Sequence, residues 1–102
     1  MSKNFKFQIL RLCSMLQAAN IPFELRDCWD GYQICYPSRE ECVSDAICHG
    51  GSYGHQQGLL EMMGLVDEEE VGDEVEGYLT AEQVFERWQK HWLENHSEEG
   101  AN

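Results

Sequence analysis

Phe5, Ile9, Leu12, Cys13, Leu16 and Ala19 recur at three- and four-residue steps, the spacing that lines up one apolar stripe on a helix. That stripe predicts a first helix from about Asn4 to Ala19. Asn20 tolerates the left-handed conformation that closes a helix, and the residue before Pro22 is driven towards extended geometry, so the helix should end there. From Phe23 to Tyr36 the period changes to that of a hairpin. Asp30-Gly31 is a dipeptide favoured in two-residue type I′ turns, and β-formers flank it. Centring the turn there sets Trp29 opposite Tyr32, Asp27 opposite Ile34 and Leu25 opposite Tyr36. One face of the sheet then carries Leu25, Trp29, Tyr32, Ile34 and Tyr36, and the other Arg26, Cys28, Gln33 and Cys35.

Pro37-Ser38-Arg39-Glu40 reads as a turn, Cys42 to His49 as a third strand, and Gly58 to Gly64 as a fourth, joined by the glycine-rich loop Gly50-Gly51-Ser52-Tyr53-Gly54. Helix is the alternative for Leu59 to Leu65, because Leu, Glu and Met favour it and short apolar runs have no decisive period. Val66 to Gly77 is rich in carboxylates without a counter-charge and predicts a solvated, mobile connection. Thr80 and Gln83 have capping-box spacing, Leu79 and Val84 are placed as a hydrophobic staple, and Val84, Phe85, Trp88 and Trp92 continue an apolar face. The last helix is therefore expected to reach Trp92 or Leu93, with 94–102 as a frayed polar tail. The sum is a two-layer α+β fold: helix, three- or four-stranded antiparallel meander, helix, in a single domain over 1–102 with its core at about 4–93.

With 102 residues there is room for one hydrophobic core, and 42% hydrophobic residues are enough for folding without a partner. Five cysteines with no Cys-x-x-Cys pair do not make a secreted disulfide framework, and no stretch reaches the roughly 20 apolar residues of a membrane span. The N-terminal segment alternates basic and apolar residues, unlike a signal peptide. Reduced thiols and a cytoplasmic location are the expectation.

Charge changes the picture more than composition does. The formal net charge is -12, and between Arg39 and Arg87 no Lys or Arg interrupts the carboxylates. Such a field repels phosphates and anionic membrane surfaces and attracts basic proteins. A protein partner with a basic surface is expected, and neither direct nucleic-acid binding nor membrane association. The contact residues this singles out are Asp67, Glu68, Glu69, Glu70, Asp73, Glu74 and Glu76, together with Tyr53, an aromatic at the tip of the glycine-rich loop. An acidic loop that is simply solvated accounts for the same residues. Calcium does not fit: with Asp67 as first ligand, Gly72 falls correctly sixth, but Val71 and Tyr78 occupy ligand positions.

The alternative chemistry is a small zinc-binding domain using Cys28, Cys35, Cys42 and Cys48, with His49 and His55 nearby. The hairpin register above places Cys28 and Cys35 diagonally adjacent. Against zinc, the ligands are not closely paired as in structural sites, and buried free cysteines serve equally as small hydrophobes. No catalytic motif is present. Cys48 and His49 are sequence neighbours, which on a strand point to opposite faces and cannot act as nucleophile and base. The glycine-rich loop lacks the Lys-Ser/Thr ending of a phosphate-binding loop. An enzyme is not expected. Core packing explains Trp88 and Trp92, with a dimer or partner surface as the other use of that face.

Gly31-Tyr32-Gln33-Ile34-Cys35-Tyr36-Pro37, Ser52-Tyr53-Gly54, Leu60-Glu61-Met62-Met63-Gly64-Leu65 and Gly77-Tyr78-Leu79-Thr80-Ala81-Glu82 resemble short uncharacterised proteins of phages and prophages in Firmicutes, over about residues 21–88. The resemblance implies a phage accessory role in the host cytosol, such as interference with a host protein. It brings no site to carry over.

Overall fold

The computed structural model describes residues 5–66, 72 and 74–101, with side chains as far as His96. The order is α1 (Lys6–Ala18), β1 (Glu24–Cys28), β2 (Gly31–Tyr36), β3 (Ser44–Cys48), a 3-10 turn (His55–Gln57), β4 (Leu60–Met63), β5 (Val75–Leu79) and α2 (Ala81–Ala101). The strands form one antiparallel sheet in sequence order, β1-β2-β3-β4-β5. The α+β architecture is as the sequence predicts, with five strands in place of three or four. Leu60–Met63 is strand, which settles the helix alternative for that stretch.

The apolar stripe of α1 buries Phe5, Ile9, Leu12, Cys13 and Leu16 against the even positions of the central strands: Ile34, Tyr36, Ala46, Cys48, Leu60 and Met62. Asn20 closes the helix at φ 58°, the left-handed conformation its side chain tolerates. The second helix opens with a reciprocal capping box. The Thr80 amide donates to Gln83 Oε1 at 2.8 Å, and the Gln83 amide donates to Thr80 Oγ1 at 3.3 Å. Leu79 and Val84 are both buried beside it. From α2, Trp88 fills the centre of the core and stacks on Tyr36 at 5.3 Å between ring centroids. Its indole N–H donates to Ser44 Oγ at 2.9 Å, and the Ser44 hydroxyl in turn faces the carbonyls of Met63 and Gly64, each at 2.8 Å. One buried serine thus ties α2, β3 and the end of β4 together. Tyr36 completes the arrangement through a 2.7 Å hydrogen bond between its hydroxyl and His91 Nδ1.

Three local expectations are corrected. The hairpin turn is Trp29-Asp30, not Asp30-Gly31: Cys28 pairs with Gly31 and Asp27 with Tyr32. Gly31 is needed inside the strand, because a Cβ there would run into the Cys48 carbonyl, so the turn moves one residue back and Trp29 takes φ 57°. The pairing moves by an even step, so Leu25, Tyr32, Ile34 and Tyr36 keep their common face. Trp29 leaves it, lies almost fully exposed and stacks on His49. Second, the connection expected over 66–77 ends in a fifth strand from Val75. Third, α2 does not stop near Leu93 but runs to Ala101. Contacts one turn apart accompany the extension: Asn95 Nδ2 donates to the His91 carbonyl, His96 Nδ1 to the Trp92 carbonyl, and His96 stacks on Trp92.

Candidate protein-binding surface

Both helices lie on one face of the sheet. The opposite face carries Arg26, Gln33, Asp45, Ile47 and Glu61, and the loop between β3 and β4 folds over one end of it. Several contacts hold that loop. The His49 amide donates to Ser52 Oγ, the Ser52 hydroxyl returns to the His49 carbonyl, and the Tyr53 amide donates to Glu61 Oε1 at 2.8 Å. His55 Nδ1 lies 2.6 Å from the Ser52 carbonyl. A carbonyl only accepts, so Nδ1 carries the proton and Nε2 is the acceptor of the neutral ring.

Beneath the loop the β4–β5 ladder is irregular. Leu60 pairs with Leu79 and Met62 with Glu76, so Gly77 and Tyr78 together stand opposite Glu61 alone. This is a β-bulge, a device that re-aims a side chain out of the strand's alternation. It keeps Glu76 and Leu79 on the helix side although they are three residues apart, and it turns Tyr78 outward at φ 60°. Gly77 has no substitute here: a Cβ on it would collide with the Tyr53 Cβ. Tyr53 and Tyr78, each about 60% exposed, share an open cleft of about 320 Å³ with Ser52, His55, Gln56 and Gln57. A left-handed backbone costs a residue with a side chain about 1–2 kcal/mol, so Tyr78 is presented to solvent at a conformational cost.

Of the acidic residues the sequence singles out, Asp67, Glu68, Glu69, Glu70 and Asp73 lie outside the described residues. Glu74 precedes β5 directly. Glu76 is engaged by Arg87 of α2 through both carboxylate oxygens, on the helix side of the sheet, and so belongs to the scaffold more than to a contact surface. Arg11 and Glu82 form a second ion pair, between the two helices. Tyr53 is exposed as expected. Tyr78 beside it is the residue that sequence reasoning missed; Gly77, an isolated glycine within β-forming residues, was the available signal for a bulge.

The cysteines do not converge. Cys48 is buried on the helix side, Cys28 sits at the turn end of β1, and Cys35 faces the other way near the far end of β2, so the predicted adjacency of Cys28 and Cys35 fails with the turn position. Only Cys35 and Cys42 are thiol neighbours; Cys42 is exposed and donates to the Ser44 carbonyl at 3.3 Å. Among the described residues, which include all five cysteines, no group of three or more His, Cys, Asp or Glu side chains is placed to hold a metal.

Burial raises the Cys35 thiol to about 11, with Cys42 adding to the effect, and burial followed by the charge of Asp30 does the same for Cys48. In both, the folded state keeps its proton longer than the unfolded chain, whose thiols ionise near 9.0. Their contribution to stability is therefore whole below pH 9 and is lost as pH rises through about 11. Urea midpoints should hold from pH 7 to about 8.5 and fall above it, less steeply in Cys48→Ala than in the wild type. At pH 8 a thiol-alkylating reagent should modify Cys42 first and Cys48 only on unfolding.

Compared with known protein families, curated proteins and solved structures, the chain finds no match. No helix among the described residues is long and apolar enough to cross a membrane.

Proposed function

We propose that the chain is a binding protein, not an enzyme, and that it engages a partner with a basic surface through the Tyr53–Tyr78 cleft and the carboxylates that lead into β5. The observation carrying this reading is the bulge at Gly77-Tyr78. Two exposed tyrosines are brought to one cleft by a glycine that a close approach explains and by a strained, outward-turned residue. Aromatic side chains held on a rigid element are the usual anchors of protein interfaces. The acidic segment runs without interruption into the strand that carries Tyr78, so anchor and negative field sit on one stretch of chain. The setting we propose, from the sequence resemblance over residues 21–88 alone, is that of an accessory protein acting on a host or phage component in the cytosol.

Capture from host lysate tests the proposal in low and high salt, with Tyr78→Gly and a variant in which Asp67, Glu68, Glu69 and Glu70 become amides. A protein retained by the wild type, released by salt and lost with both variants supports it. Retention that is indifferent to salt and to both variants contradicts it. Glycine accepts φ 60° without strain, so Tyr78→Gly should leave the urea midpoint unchanged or raise stability by up to about 1 kcal/mol. Lost binding in that variant is then a loss of the ring and not of the fold.

A further inference from the structure

We infer that the Tyr53–Tyr78 cleft receives an arginine side chain of the partner, an assignment that rests on the reading of the chain as a binder of basic proteins. The cleft joins two properties that a guanidinium recognises together. The first is aromatic surface: the rings of Tyr53 and Tyr78 are both accessible in it, and a planar, weakly hydrated cation stacks on such rings better than a compact ammonium does. The second is a rim of hydrogen-bond acceptors in a site without positive charge. Gln56 and Gln57 supply amide oxygens, and His55, whose Nδ1 proton is held by the Ser52 carbonyl, presents an acceptor Nε2 in its neutral form. Five fixed donors on a guanidinium match several acceptors at once, whereas an ammonium on a flexible stem has no planar complement to offer.

Among the described residues, no Lys or Arg lines the cleft. No Lys or Arg occurs between Arg39 and Arg87, Arg87 is committed to Glu76, and Lys6 lies over the ring of Tyr32. A net charge of -12 raises the local concentration of cationic side chains around the molecule. Field alone does not choose between arginine and lysine; the two accessible rings and the acceptors beside them do.

Titration of the 15N-labelled chain with hexa-arginine and hexa-lysine peptides at one ionic strength separates the two levels of the argument. The inference predicts that hexa-arginine binds about two- to fivefold more tightly, the increment of an exposed cation-stacking contact. Its amide shifts should centre on residues 51–57 and 77–79, and Tyr78→Gly should reduce its affinity to that of hexa-lysine. Equal affinities, or shifts confined to the acidic segment, overturn the arginine assignment and leave the basic-partner reading standing. Failure of both peptides to bind at low salt overturns both.

Discussion

Trp88→Ala should destabilise the protein by about 3–5 kcal/mol, enough to remove much of the total stability of a domain this size. The indole is fully buried, stacks on Tyr36 and donates to Ser44, so its removal leaves a large cavity and strips a partner from the serine that links β3, β4 and α2. Ser44→Ala isolates the polar part. It keeps the ring but leaves the indole N–H buried without an acceptor, at a cost of about 1–3 kcal/mol. Urea denaturation of the two variants checks both values, and a double variant should cost less than their sum because the same hydrogen bond is counted in each. A loss below about 1 kcal/mol in Trp88→Ala would mean that α2 is not the keystone of the core.

Gly77→Ala should have the largest effect on the candidate surface. The added methyl meets the Tyr53 Cβ inside contact distance and comes within 3.2 Å of the Tyr53 carbonyl, so the loop over the sheet must lift. Overpacking of this kind costs about 1–3 kcal/mol, and the cleft loses the juxtaposition of its two rings. Binding should fall to the level of Tyr78→Gly although both tyrosines remain. Gly51→Ala is the control, because a Cβ there meets only the His49 ring at 3.4 Å, an ordinary contact. If Gly77→Ala binds as the wild type does, the close approach of Tyr53 to β5 plays no part in recognition.

The elements with strong periodicity were legible in the sequence. The stripe of α1, the left-handed Asn20, the capping box and staple of α2 and the faces of the central strands all follow from local patterns that agree with the packing. The hairpin shows where local preference yields. Asp30-Gly31 is a good turn dipeptide, but the close approach of Gly31 to the Cys48 backbone is a tertiary demand that draws the glycine into the strand and pushes Trp29 into the turn. That step also undid the expected approach of Cys28 to Cys35, and with it the geometric reason for a zinc site. β5 was hidden because Glu74, Glu76, Gly77 and the preceding carboxylates read as loop; its pairing with β4 depends on a bulge to which Gly77 was the one pointer. Tyr53 could be singled out from its place in a glycine-rich loop, while Tyr78 could be reached only by reading Gly77 as a bulge, since its exposure comes from the bulge. The ion pair of Glu76 with Arg87 was equally out of reach, being a contact between elements whose faces were known only once β5 was found.

Hydrogen exchange of the full chain with and without its captured partner tests the central claim most directly. The account predicts slowed exchange in complex at residues 51–57 and 75–79, the loop and strand that frame the Tyr53–Tyr78 cleft. Protection that instead covers the exposed Phe7 and Leu10 side of α1, with the cleft exchanging as freely as in the isolated protein, would contradict it.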